Sequence, residues 1–343
     1  MKFRYGAVAV SLSCLLAACS APVSKEVDST NGPAFDAQQS QRSQEYPLYS
    51  DLQNWLPGFY SNYAQVIEAG GEEDSVTDLT ISQLPTQNEP VFLFESQQRD
   101  SAVANYDLYF VKLNPESGQQ ELHFSRMTGS DLSKPLPETL AIGWARVLPE
   151  CVITLAPFNV QTPVSVDRQL FGKSKTETCR FEDPIHGEIA FERSLSISSD
   201  QINMTEVELK PGEVIAEQPV VIQFQQHQAY EGTVSLSSAA SGDDEGTSGW
   251  QTSTTFNLYD DGRVSHVYDS DMKKMNYSIR LSRLHWRDNE PPYLRLEILH
   301  LESGEAQAYS WFDPDSKQID WELDWAEVHL KELTLEESNQ NSE

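Results

Sequence analysis

The sequence predicts an all-β protein, an antiparallel barrel or sandwich followed by a second antiparallel β domain, with few short helices. Short runs rich in aromatic and β-branched residues alternate with polar ones, the period-2 pattern of half-buried strands. Gly, Pro, Asn and Asp cluster between these runs at the spacing of tight turns. No long 3.6-residue periodicity interrupts them, which argues against a parallel sheet crossed by helices.

Lys2 and Arg4 precede an apolar run from Ala7 to Leu16 that ends on Leu16-Ala17-Ala18-Cys19. A positive start, a short apolar stretch and small residues before a cut make a secretory leader. The run falls short of the roughly 20 residues that span a bilayer. Because it ends on cysteine, it resembles the leader of bacterial lipoproteins, which implies cleavage of residues 1–18 and lipidation of Cys19 with palmitate-type chains. Ser20 and Ala21 follow, with no Asp, and by the same resemblance this implies sorting to the outer membrane, facing the periplasm. The bilayer is then a partner through the Cys19 anchor. Residues 19–45 are Ser, Gln, Ala and Asp with hardly a large apolar side chain, a flexible tether with a reach of about 30 Å.

The whole chain carries a formal charge of −29, and loss of Lys2 and Arg4 with the leader makes the remaining 325 residues more acidic still. Such a field repels nucleic acid and anionic head groups, so neither is expected as a ligand. The acids are scattered, as on a solvated surface. With Cys14 in the leader and Cys19 acylated, Cys151 and Cys179 are left, and in an oxidising envelope they are expected to pair. The loop that this closes is worth about 3.5 kcal/mol in the chain-entropy model. Seven histidines are dispersed with no i+2 or i+4 pair, and there is no HExxH or CxxC, so no metal site is expected. Asp313-Pro314-Asp315-Ser316-Lys317 reads as a hairpin turn rather than a calcium loop, because Lys317 stands where an oxygen ligand is needed.

Folding starts near Tyr46. Ser50 can cap a short helix with Leu52, Trp55 and Leu56 on one face, ended by Pro57-Gly58. Val91–Phe94 is a buried run. Tyr106–Leu113 and Glu121–Met127 make a hairpin around Asn114–Gly118. Cys151–Leu155, Ile189–Ile197 and Ile202–Leu209 read as strands and complete a first domain over residues 46–212. A break from Lys210 to Pro219 precedes a second β domain over 220–335. It has strands in Val220–Leu236, a hairpin over Phe256–Tyr268 around Asp261-Gly262, and further strands to Val328. A polar tail over 336–343 ends the chain.

Trp55-Leu56-Pro57-Gly58-Phe59-Tyr60-Ser61-Asn62-Tyr63-Ala64-Gln65, Phe94-Glu95-Ser96-Gln97, the strand from Tyr106, Leu148-Pro149-Glu150-Cys151, and Phe171-Gly172 with Cys179 follow one another at plausible spacing. Together these segments resemble the CpcT/CpeT-type family of phycobiliprotein chromophore lyases over residues 52–209. The resemblance implies a calycin-like antiparallel barrel that holds an open-chain tetrapyrrole (a bilin) and passes it to a protein cysteine. Two departures stand out. Asp107 occupies a place where the family's strand has arginine, and Thr205-Glu206-Val207-Glu208 replaces its Asp-Arg-Gly segment.

Trp55 and Tyr63, near Phe59 and Tyr60, either line a ligand cavity or close the barrel end as core. Glu95 follows an apolar run and is the candidate functional acid, since a carboxyl turned toward the core has a raised pKa and can donate a proton or bind a pyrrole nitrogen. The resemblance puts Tyr106 on the next barrel strand, so the expected ligand site is a cavity of the first barrel lined by Trp55, Tyr63, Glu95 and Tyr106. Arg99 and Arg126 are the remaining cations there. Three functions stay open. The first is a lipid-anchored barrel that binds a hydrophobic or tetrapyrrole-like ligand, the second a true bilin lyase, and the third a non-catalytic interaction module of the envelope. No catalytic residue and no protein partner can be assigned from the sequence.

Overall fold

A computed structural model describes residues 48–84, 90–99, 101, 104–126, 151–161, 166–174, 179–183, 187–209, 220–237, 249–285 and 291–335. The leader, Cys19, the tether and the tail lie outside them. The protein is mostly β. Its first strands are β1 (Gly58–Ser61), β2 (Thr77–Leu84), β3 (Val91–Gln98), β4 (Ala104–Leu113), β5 (Gln120–Arg126), β6 (Val152–Gln161) and β7 (Val166–Ser174). After them come β8 (Cys179–Asp183), β9 (Gly187–Ile197), β10 (Gln201–Leu209) and β11 (Val221–His227). They pair antiparallel in the order β1-β2-β3-β4-β5-β6-β7-β9-β10-β11, and β11 returns to β1, so ten strands close into a barrel. Closure joins the first strand of the barrel to the last, which removes the two free edge strands an open sheet would have. Strand β8 stands outside the ring and pairs with the first half of β9, whose second half pairs with β7.

Alternation sorts the side chains. Leu79, Ile81, Phe92, Phe94, Tyr109, Val111, Leu122, Phe124, Phe191, Leu195, Ile202 and Phe224 form one buried cluster inside the barrel. A chain of rings crosses it: Phe94 lies 4.4 Å from Tyr109, Tyr109 5.4 Å from Phe124, and Phe124 5.8 Å from Phe191 between centroids. Gly172 is tight against this interior, since a Cβ there would come 2.5 Å from the Ile153 side chain. Cys151 and Cys179, both buried, form the expected disulfide with Cα atoms 4.4 Å apart.

One charged group shares the interior. Arg193 on β9 is almost fully buried, with its guanidinium carbon 4.1 Å from the Phe124 ring centroid. It donates to Asp107 at 3.1 Å, to the Tyr109 hydroxyl, and to Glu206 through Nε at 3.0 Å. The acids at the two departures noted in the sequence, one on β4 and one on β10, thus hold a single arginine between them.

Helix α1 (Tyr49–Trp55) packs Tyr49 and Leu52 into the same interior cluster, and Leu48 and Leu56 join them at its ends. Ser50 does not cap it. The residue before the helix is Leu48, whose N–H donates to Gln120 Oε1 on β5 instead. Tyr60 fastens the other end, its hydroxyl donating to the Leu56 carbonyl at 3.1 Å and to that of Trp55. Helix α2 (Tyr63–Glu68) follows β1, and there a side chain completes the wall. Beyond the end of β1, the Gln65 amide bonds the β11 backbone, accepting from Gln223 N–H at 3.0 Å and donating to the Val221 carbonyl at 2.6 Å.

Strand β11 belongs to the barrel, although the sequence groups residues from 220 onward with the second half. The remaining strands are β12 (Ala229–Ser237), β13 (Trp250–Thr252), β14 (Phe256–Tyr259), β15 (Asp261–Tyr268), β16 (Lys274–Leu284), β17 (Tyr293–His300), β18 (Ala306–Phe312), β19 (Gln318–Glu322) and β20 (Ala326–Glu332). They form two antiparallel sheets, β13-β12-β20-β19 with β14 beside β12, and β15-β16-β17-β18. Tyr230, Val234, Leu258, Ile279, Leu296, Ile298 and Val328 fill one core between the sheets, the arrangement of a sandwich. The expected hairpin over Phe256–Tyr268 does not form, since β14 pairs with β12 and β15 with β16. Gly262 still turns the backbone at φ +88°, but the chain passes from one sheet to the other there.

Replacing Arg193 with Met leaves Asp107 and Tyr109 without their buried cation, and breaking such a network by removing one partner costs about 3–5 kcal/mol. Denaturant unfolding of the variant is expected to show a loss at the lower end of that range, since Glu206 reaches solvent. A stability within about 1 kcal/mol of the parent would count against this role.

Candidate functional site: a cleft between barrel and sandwich

The side chains that alternate with the barrel interior point outward from β2, β3 and β4. Toward one end they are apolar, with Leu84, Val91, Leu93, Tyr106, Leu108 and Phe110 in a separate buried cluster. Toward the other end they turn polar, as Asp78 and Thr80 on β2 and Glu95 and Gln97 on β3. Register places Thr80 opposite Glu95 and Asp78 opposite Gln97. Asn257 and Tyr259 of β14 and Arg263 and Ser265 of β15 face this polar stretch, and Arg99 joins them. The residues enclose a cleft of about 310 Å³ between barrel wall and sandwich.

The junction that makes the cleft is rigidly bonded. Asp260 and Asp261, at the crossing between the two sheets, reach in different directions. Asp260, fully buried, accepts from Gln228 N–H at 2.9 Å, in the link between β11 and β12, and from Arg283 Nε at 2.6 Å. His227 Nδ1 lies 3.3 Å from the same carboxylate. Asp261 accepts from Arg263 Nε at 2.6 Å, and Arg263 turns its two terminal nitrogens on Asp78, at 2.7 and 2.9 Å. That bidentate pair ties sandwich to barrel wall, the geometry that gives an arginine–carboxylate contact its strength and direction. The guanidinium stacks 4.7 Å from the Tyr259 ring centroid, and Phe59 of β1 meets Tyr259 edge-on at 6.4 Å.

Glu95 and Tyr106 are direct partners on adjacent strands, and the Tyr106 hydroxyl donates to Glu95 Oε1 at 3.2 Å. Tyr106 is buried behind Glu95 and Glu95 is half-buried at the cleft wall. Burial raises the Glu95 carboxyl above its ordinary value, and the Tyr106 hydrogen bond opposes that rise. Tyr63 begins α2 near the same junction, its ring centroid 5.9 Å from the Arg263 guanidinium carbon. Its hydroxyl is pushed up by burial and then by the Glu73 and Asp261 carboxylates. Trp55, the last residue of α1, packs against the barrel-end core and does not join the others.

Of the four site residues expected from sequence, then, Glu95 and Tyr106 come together, Tyr63 lies nearby and Trp55 stands apart. The first two face away from the barrel axis. Sequence reasoning missed Asp78, Thr80, Gln97, Asn257, Tyr259, Arg263 and Ser265. The compact run Tyr259-Asp260-Asp261-Gly262-Arg263, with three charges and a tyrosine between apolar strands, was the available signal. Arg99 pairs with Glu73 at 2.7 Å, as a surface cation is expected to.

No protein-family model matches the chain, and no characterised protein matches it in sequence. The lyase resemblance therefore rests on its short segments and their order.

Because burial raises Glu95, the folded state holds its proton more tightly than the unfolded chain does. Stability is then expected to fall as pH rises from the ordinary glutamate range through the folded value, and Glu95→Gln should be more stable than the parent at pH 7. Tyr106→Phe removes the hydrogen bond that favours the charged form, so Glu95 should titrate higher still. Carboxyl-carbon NMR titration reads both, and a Glu95 titrating at or below the ordinary glutamate value would contradict them.

Proposed function

We propose that this protein is a lipid-anchored lipoprotein of the cell envelope, held to the outer membrane through Cys19, that binds a small polar ligand in the cleft between its barrel and its sandwich. The observation that carries the ligand reading is the cleft lining. Nine residues drawn from both modules present carboxylate, amide, hydroxyl and guanidinium groups to one space of about 310 Å³. Ligand sites lie preferentially at such junctions, with a few convergent polar groups that fix orientation. The envelope reading draws on the leader ending at Cys19 and is supported by the Cys151–Cys179 disulfide, a bond that persists in oxidising compartments.

A hydrophobic or tetrapyrrole ligand inside the barrel has less support. The ring chain from Phe94 to Phe191 packs within the interior cluster, and Arg193, the buried cation beside it, is already held by Asp107 and Glu206. Lyase chemistry is accordingly not part of this reading.

Two measurements test it. Cys19→Ser should leave the protein unacylated and move it from the membrane fraction to the soluble one, and retention of the variant in the membrane would defeat the anchor. For the ligand, amide NMR shifts on adding a panel of small polar envelope metabolites should cluster at Thr80, Gln97, Asn257 and Ser265. Shifts at Tyr109 and Phe124 on adding haem or biliverdin, with none at the cleft, would favour the tetrapyrrole reading instead.

A further inference from the structure

The charges around the cleft are not balanced. Both oxygens of Asp78 are taken by Arg263, which also pairs with Asp261, and Arg99 is taken by Glu73. Glu95 is different. Among the described residues its side chain has one hydrogen-bond partner, the neutral Tyr106 hydroxyl on Oε1, and no arginine or lysine forms an ion pair with it. The four carboxylates Glu73, Asp78, Glu95 and Asp261 thus face two guanidinium groups. Lys274, which acts on the neighbouring His266, adds one more cation and still leaves a carboxylate in excess. A partly desolvated carboxylate without a counter-ion is costly, and it gains most from a ligand that brings one.

We infer that the cleft selects a ligand carrying a primary ammonium group, with Glu95 as its counter-ion. This rests on the cleft being the binding site. An ammonium has three donors and no acceptor, so after one of them meets Glu95, two remain for neutral acceptors, and Thr80, Gln97, Asn257 and Ser265 supply oxygens along the same walls. A hard divalent cation is a poorer match, because it needs six or more oxygen ligands and Glu95 is the one carboxylate here not committed to an arginine. The acidity of the whole chain adds long-range attraction for a cation and none for an anion. At about 310 Å³ the cleft holds an amino sugar or a short linear amine, two sources of the same chemistry.

The test titrates the full mature chain at pH 7.5 with D-glucosamine and with putrescine, each beside its uncharged counterpart, N-acetyl-D-glucosamine and 1,4-butanediol, by calorimetry and amide NMR. At least one amine should bind at least about tenfold more tightly than its neutral counterpart, with shifts at Thr80, Gln97 and Asn257. Which amine binds separates the saccharide from the polyamine source. Glu95→Gln should abolish the preference for charge, and Tyr106→Phe, which leaves the carboxylate in place, should retain it. Neutral probes that shift the cleft as strongly as the amines, or an unchanged preference in a folded Glu95→Gln, would overturn the inference and leave the cleft reading intact. Absence of any cleft shift with all four probes at about 10 mM would overturn both.

Discussion

Asp260 and Asp261 are adjacent in the chain, and their side chains fix the sandwich to the barrel. Asp260 is the turn residue between β14 and β15 and Asp261 opens β15, and their side chains leave the backbone in different directions. The chain uses this. Asp260 turns back to the link that leaves the barrel, binding Gln228 N–H and Arg283, while Asp261 turns to Arg263 and through it to Asp78 on the barrel wall. Two attachments on opposite sides of one strand crossing resist rotation as well as separation. Apolar contact backs them, with Phe59, Ala229 and Leu333 packed beside Tyr259. The cleft exists because the modules are held at this spacing, so its geometry depends on Asp260, Asp261 and Arg283, which do not line it, as well as on Asp78, Tyr259 and Arg263, which do.

The barrel interior differs in chemistry from the cleft. Among the described residues, close-packed rings and a tight glycine fill it with side chains. Arg193 is the exception that explains two acids. A buried guanidinium is tolerated only with partners that satisfy its charge and donors, and Asp107, Glu206 and Tyr109 supply them from β4 and β10. Asp107 stands where the strand of the resembled family has arginine, and Glu206 lies in the stretch that replaces its Asp-Arg-Gly segment. The two acids and the arginine form an internal network, in which the buried cation is already paired.

Much of the fold was legible because alternation is a local property. Apolar spacing and turn residues locate the strands over Tyr106–Leu113, Glu121–Arg126 and Ile202–Leu209, and elimination among four cysteines gives the Cys151–Cys179 bond. What sequence could not show is which elements meet. The Asp261-Gly262 turn signal is real in backbone terms, with Arg263 N–H bonded to Asp261 Oδ1 at 3.1 Å, yet it starts a sheet change and not a hairpin. The side chains of Asp260 and Asp261 bind groups far away in sequence, and no local pattern reports that. Strand β11 follows the break in sequence yet belongs to the barrel wall for the same reason, since its pairing with β1 and β10 places it there.

The site residues follow this rule closely. That Glu95 and Tyr106 sit side by side was readable, as both belong to strands that neighbour in sequence and share a face. Which face was not. In Val91–Phe94 every residue is buried, so alternation carries no information about inside and outside, and the end of such a run gives Glu95 no orientation. A strand buries both faces when something covers its outer side, and beside Glu95 that cover is the sandwich, contributed from residues more than 150 positions later. Glu95 is thereby lifted out of bulk solvent without entering the barrel core. It is desolvated enough to have a raised pKa, yet it stays at the wall of an open cleft where a ligand can reach it. A carboxylate in that intermediate position is poor as structural glue and well suited to recognising a cation.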